Sequence, residues 1–132
     1  MISLAVNQID TNSKPFNVSS WLRPHLNFLM ITREIIDRAV HILAETAKPS
    51  RIMVFGSYAR GDAREDSDLD LLVIEPRVED RAREMVRLRR ALRPLRIPVE
   101  ILVCSADEVA RWGDQPGSAL YWALREGTVV HG

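Results

Sequence analysis

Apolar residues recur at spacings of three and four from Ile35 through Ile36, Ala39, Val40 and Leu43 to Ala47. That period predicts a helix, with Thr32 as its N-cap and Pro49 as its stop. A short apolar run, Ile52 to Phe55, then reads as a buried strand. A second run, Asp68 to Ile74, reads as another, with Leu69, Leu71 and Val73 on the face opposite Asp68 and Asp70. Pro76 closes it. Helical spacing returns over Glu79 to Leu95 through Ala82, Met85, Val86, Leu88, Ala91 and Leu92. Ile97 to Cys104 is a third strand, and Ser105-Ala106-Asp107-Glu108 is a capping box opening a short helix. A last helix is expected from near Pro116 to Glu126, with Gly127 as its C′ residue and Thr128 to His131 as a short edge strand.

The order α-β-β-α-β-α-α indicates an α+β fold, a small mixed β-sheet with helices packed mainly on one side. Residues 1–29 show neither period. They carry Asn7, Asn12, Asn17, Ser13, Ser19 and Ser20, and read as a poorly ordered N-terminal extension or a partner-docking arm. The domain proper is expected over residues 30–132.

Composition narrows the class. The chain has 132 residues, the size of one domain, and 46% apolar residues are enough for a core. No apolar run reaches the roughly 18 residues of a membrane span, and no signal peptide is visible. Cys104 is the only cysteine, which suits a reducing cytosol, so a cytoplasmic location is expected. Basic and acidic residues balance at 18 each, which argues against direct nucleic-acid binding by the domain as a whole. Arg81, Arg83, Arg87, Arg89, Arg90 and Arg93 crowd the second helix. They read as a solvated face or as a basic surface for an acidic partner or RNA.

Candidate chemistry sits between the first two strands. The first apolar run stops at Gly56-Ser57, and the second carries Asp68 and Asp70. Side chains two apart on a strand share a face, and paired carboxylates resist joint ionisation unless a cation separates them. Hard oxygen ligands suit Mg²⁺ held together with substrate phosphates. Gly56 lets backbone approach a ligand, and turn amides plus the Ser57 hydroxyl can hold phosphate oxygens. A solvated strand end and a plain Gly-Ser turn are the bland alternatives, and they leave the spacing of the two segments unexplained.

Gly56-Ser57 followed by Asp68-Leu69-Asp70 resembles the signature of the DNA polymerase β-like nucleotidyltransferase superfamily. Ala59-Arg60-Gly61 and Ser67 narrow the likeness to its minimal nucleotidyltransferases, encoded beside HEPN-domain toxins in toxin–antitoxin pairs. The likeness covers Ile31 to Val130. It implies the polymerase β-like fold and Mg²⁺ held by Asp68, Asp70 and a third carboxylate at Glu100. It also implies ATP or another NTP gripped by Gly56, Ser57 and Arg60. Arg60 either bonds phosphate bidentately or pairs with Asp62 or Asp66. Glu100 departs from the superfamily pattern, where aspartate is usual; one extra methylene shifts the metal. The implied activity is transfer of a nucleoside monophosphate to a hydroxyl, with a HEPN-type toxin as partner and an antitoxin role. A binding module that neutralises its partner by contact, and an enzyme acting on a small molecule such as an aminoglycoside, are the alternatives. The chain's brevity suggests that the acceptor is bound by another chain or by a second copy of this one.

Overall fold

The structure is a computed structural model that describes residues 30–132. The extension expected over residues 1–29 lies outside the described residues. The first helix, α1 (Arg33–Ala47), starts where the pattern places it: the Thr32 hydroxyl accepts from the Ile35 amide at 3.2 Å. Lys48 ends it in the left-handed region (φ 50°), its N–H donating to the Ala44 carbonyl, one residue before Pro49.

Strand β1 (Arg51–Phe55) leads into a one-turn helix, α2 (Ser57–Arg60), where the sequence suggested only a turn. Strand β2 (Leu69–Glu75) follows, then α3 (Arg81–Leu92), capped by the Asp80 carboxylate. The helix expected to reach Leu95 gives way to a 3₁₀ turn over Arg93–Leu95, with Pro94 inside it. Strand β3 (Val99–Ser105) starts two residues later than expected, because Pro98 has no N–H to donate to a ladder. The capping box is present in full: Ser105 Oγ accepts from the Glu108 amide at 3.0 Å, and Glu108 Oε1 from the Ser105 amide at 2.9 Å. It opens α4 (Ala106–Trp112). Helix α5 (Ala119–Glu126) is capped by Ser118, with Pro116 two residues before the cap. Gly127 is extended, and the chain passes directly into β4 (Thr128–His131).

The sheet has the order β3-β2-β1-β4. β1 runs antiparallel to β2 and β4, and β2 runs parallel to β3. The expected small mixed sheet is therefore present. The two long helices, α1 and α3, cover one face, burying Ala39, Val40, Leu43, Leu88 and Leu92 against Ile52, Val54, Leu69, Leu71, Val73, Ile101 and Val103. The shorter α4 and α5 cover the other, over Met53, Leu72, Ile74 and Cys104. Each fully buried leucine contributes about 1.5–3 kcal/mol. Because both faces are covered, β2 is apolar without interruption from Leu71 to Ile74. Side-chain alternation puts Asp70 and Glu100 on the α4–α5 face, at the end of the sheet where β2 and β3 begin.

Candidate active site

The turn after β1 is built on Asp70. Phe55 pairs with Asp70 across β1 and β2, and Gly56 follows with φ 72° and ψ −152°, a region essentially reserved for glycine. A Cβ at Gly56 would collide with Asp70 Oδ2. The backbone therefore lies directly against the carboxylate. The amides of Ala59 and Arg60 then donate to the Gly56 carbonyl, both at 3.0 Å. Those of Gly61 and Asp62 donate to the Ser57 carbonyl at 2.9 and 3.1 Å. Among the described residues the Ser57 hydroxyl has no hydrogen-bond partner.

The carboxylates come from two strands and one loop. Asp70 and Glu100 are register partners on the parallel strands β2 and β3. Asp68 lies one residue before β2, in a stretch fixed by two bonds. The Ser67 hydroxyl accepts from the Arg64 amide at 2.7 Å, and the Leu69 amide donates to the Pro98 carbonyl at 2.9 Å. Asp70 is half-buried, whereas Asp68 and Glu100 are exposed. Desolvation chiefly, then the negative charges of Glu100 and Asp68, push the Asp70 carboxyl above its ordinary range; Arg60 pulls weakly the other way. The sequence reading expected Glu100 to need a partner on an apolar face. Instead β3 is an edge strand and solvent reaches the side chain.

Among the described residues no three of the His, Cys, Asp and Glu side chains converge closely enough to hold a metal. The donor set itself is suited to a hard divalent cation: three carboxylates, with the charges of Glu100 and Asp68 acting on Asp70, beside a backbone turn that Gly56 lets pack against Asp70. A cation between them would relieve the repulsion that raises Asp70.

Arg60 is gripped from two sides. Its Nε donates to Asp62 Oδ2 at 3.3 Å and its Nη1 to Glu126 Oε1 at 2.9 Å. The partnership with Asp62 is one that the sequence admits; Asp66 is not used. Glu126, at the end of α5, was not legible as a site residue, for no local motif marks a partner 66 positions away. Tyr58 packs into the α1–α3 core, and its hydroxyl accepts from the Ile31 amide at 3.0 Å.

A solved structure from Sulfolobus solfataricus, provisionally titled a nucleotidyltransferase, has the same fold: TM-score 0.52 at 19% identity, over 86% of this chain and 87% of that one. Two proteins of Methanocaldococcus jannaschii, provisionally named protein adenylyltransferases, are 38% identical over 52 residues and 44% identical over 41. These matches take in 39% and 31% of this chain, and span only 60% and 41% of those relatives' lengths. The nucleotidyltransferase domain profile matches residues 36–118, more than half of the chain and all of Gly56, Ser57, Asp68, Asp70 and Glu100. The chain belongs to the nucleotidyltransferase domain family.

Proposed function

We propose that the protein transfers a nucleoside monophosphate, AMP from ATP, to a hydroxyl on a protein acceptor. The observation that carries this reading is the packing of the Gly56 backbone against Asp70, which joins the phosphate-binding turn to the carboxylates. Asp68, Asp70 and Glu100 are the residues that would hold Mg²⁺, which supplies charge neutralisation and a lowered pKa for the attacking hydroxyl when bound. The chain's own contribution is positional. The turn presents the Ser57 hydroxyl and backbone amides to phosphate oxygens, and Arg60 adds a cation beside them. Release of pyrophosphate completes the transfer.

A protein acceptor is supported by the provisional names of the two archaeal relatives. The finer reading, from the motif resemblance, is a hydroxyl such as that of a tyrosine on a HEPN-type toxin, which this protein would silence as its antitoxin. A second reading is favoured by one observation. Asp68, Asp70 and Glu100 do not converge as a set of three, and Glu100 is exposed, which suits a module that binds its partner without modifying it. Mass spectrometry of the partner after incubation with ATP and Mg²⁺ separates the two. A gain of one AMP, lost with Asp68→Ala/Asp70→Ala, supports transfer. An unchanged mass with an intact complex supports contact alone.

A further inference from the structure

We propose that Glu126 is a positioning residue of this site, holding Arg60 so that one end of its guanidinium stays free for the nucleotide's phosphates. The inference rests on the nucleotide-binding reading and deepens it. Helix α5 lies beyond the family-matched segment, which ends at residue 118, so nothing in the family assignment gives Glu126 a role.

The geometry has three parts. Arg60 closes the one-turn helix that follows Gly56, so its backbone is fixed by the same turn that lies on Asp70. Its side chain is then held by Asp62 at Nε and Glu126 at Nη1. Nη2 makes no hydrogen bond among the described residues and keeps both hydrogens. The Arg60 side chain is 47% exposed, whereas that of Glu126 is 24% exposed, so the clamp is firmer on the α5 side. Arginine loses considerable rotamer freedom when it binds, and a side chain ordered beforehand loses less at the moment of binding. Glu126 also follows the residues of α5 that are anchored under the sheet, Leu120 and Ala123, so the clamp has a rigid base.

The alternative, that Glu126 merely neutralises Arg60 and competes with phosphate, makes the opposite prediction, and a set of variants resolves them. Glu126→Ala and Glu126→Gln both remove the charge, but only the glutamine keeps an oxygen able to accept from Nη1. Calorimetric titration of ATP with Mg²⁺ is expected to show affinity about three- to tenfold weaker in Glu126→Ala and within about twofold of wild type in Glu126→Gln, the scale of ordering one long side chain. In an Arg60→Ala background, adding Glu126→Ala is expected to change nothing further. The Arg60 Nε–H signal in ¹⁵N NMR without nucleotide is expected to be sharp and shifted in wild type and Glu126→Gln, and averaged in Glu126→Ala.

Tighter binding by Glu126→Ala, or an equal loss in the Arg60→Ala background, overturns the clamp. If wild type and Asp70→Asn both fail to bind ATP, the nucleotide site itself is wrong. The NMR signal still tells whether Glu126 orders Arg60.

Discussion

Asp70 and Glu100 stand side by side as register partners on parallel strands, one half-buried and one exposed. Asp70, which the proposed site uses, works against the fold. The Asp70 carboxyl lies above its ordinary value because burial and nearby negative charge disfavour its ionised form. The folded state therefore binds more protons than the unfolded chain just above the ordinary value of 3.8. Stability from this group is fullest below that value and falls as pH rises through the raised pKa.

Asp70→Asn is accordingly expected to raise the thermal midpoint at neutral pH, with the gain vanishing below pH 3.8. Transfer should fall by more than the roughly 10–100-fold typical of losing an outer-shell partner of a metal ligand. Calorimetric melts across pH, beside the transfer assay, check both. A lower midpoint at pH 7 would contradict the burial argument.

Gly56→Ala should be damaging twice over. Its φ of 72° and ψ of −152° disfavour any side chain, at about 1–3 kcal/mol, and its Cβ would meet the Asp70 carboxylate. Gly61→Ala is the comparison: φ is 88°, but nothing lies within 4 Å of its Cβ. It should cost about 1–2 kcal/mol and leave ATP affinity intact. Urea melts and nucleotide titration of both variants distinguish strain from loss of the site.

Glu75, at the end of β2, is the one charged residue buried among the described residues, 8% exposed, with Oε2 unpartnered. Burial first, then the neighbouring Glu84, pushes its carboxyl up to about 7, while Arg87 opposes this. A proton on Glu75 gives the orphaned oxygen a role, as donor to the Glu84 carboxylate, which Arg87 holds at 2.8 and 2.9 Å. Because the folded pKa is raised above 4.5, stability should fall as pH rises from about 4.5 to about 7 and level off above. Glu75→Gln should flatten that fall and stabilise the protein at pH 8 by on the order of 1–3 kcal/mol. Chemical denaturation at pH 5 and pH 8 reads the difference; an equal slope in both proteins would refute it.

Ser105→Ala removes one bond of the capping box and leaves the Ser105 amide still bound to Glu108. A loss of about 0.5–2 kcal/mol is expected, with ATP affinity unchanged, because α4 carries none of the candidate site residues. Thermal melts and titration together provide the check.

The strands, α1 and the capping box were legible because each rests on local pattern: apolar runs, a three-four period, a Ser-x-x-Glu spacing. α2 was not, since four residues from Ser57 to Arg60 are too few to show a helical period. The order of elements suggested helices mainly on one side; α4 and α5 on the other face are hinted at only by the unbroken run Leu71 to Ile74, which a one-sided sheet would interrupt with polar residues. Gly56, Ser57, Asp68 and Asp70 could be picked out because they cluster within one hairpin-like segment. The clamp on Arg60 and the burial of Glu75 depend on helices arriving from elsewhere in the chain, so nothing near either residue announces them.

The parallel pairing of β2 with β3 also governs which length changes the gene can tolerate. The turn from Arg93 to Ile97 lies outside both ladders, and an added residue there can be looped out. An added residue between Pro98 and Glu100 would set Val99 or a newcomer beside Asp70 and turn Ile101 and Val103 away from the α1–α3 core. A lineage can therefore lengthen this crossover freely, but it cannot slip the strand without losing the Asp70–Glu100 pairing and folding in the same step.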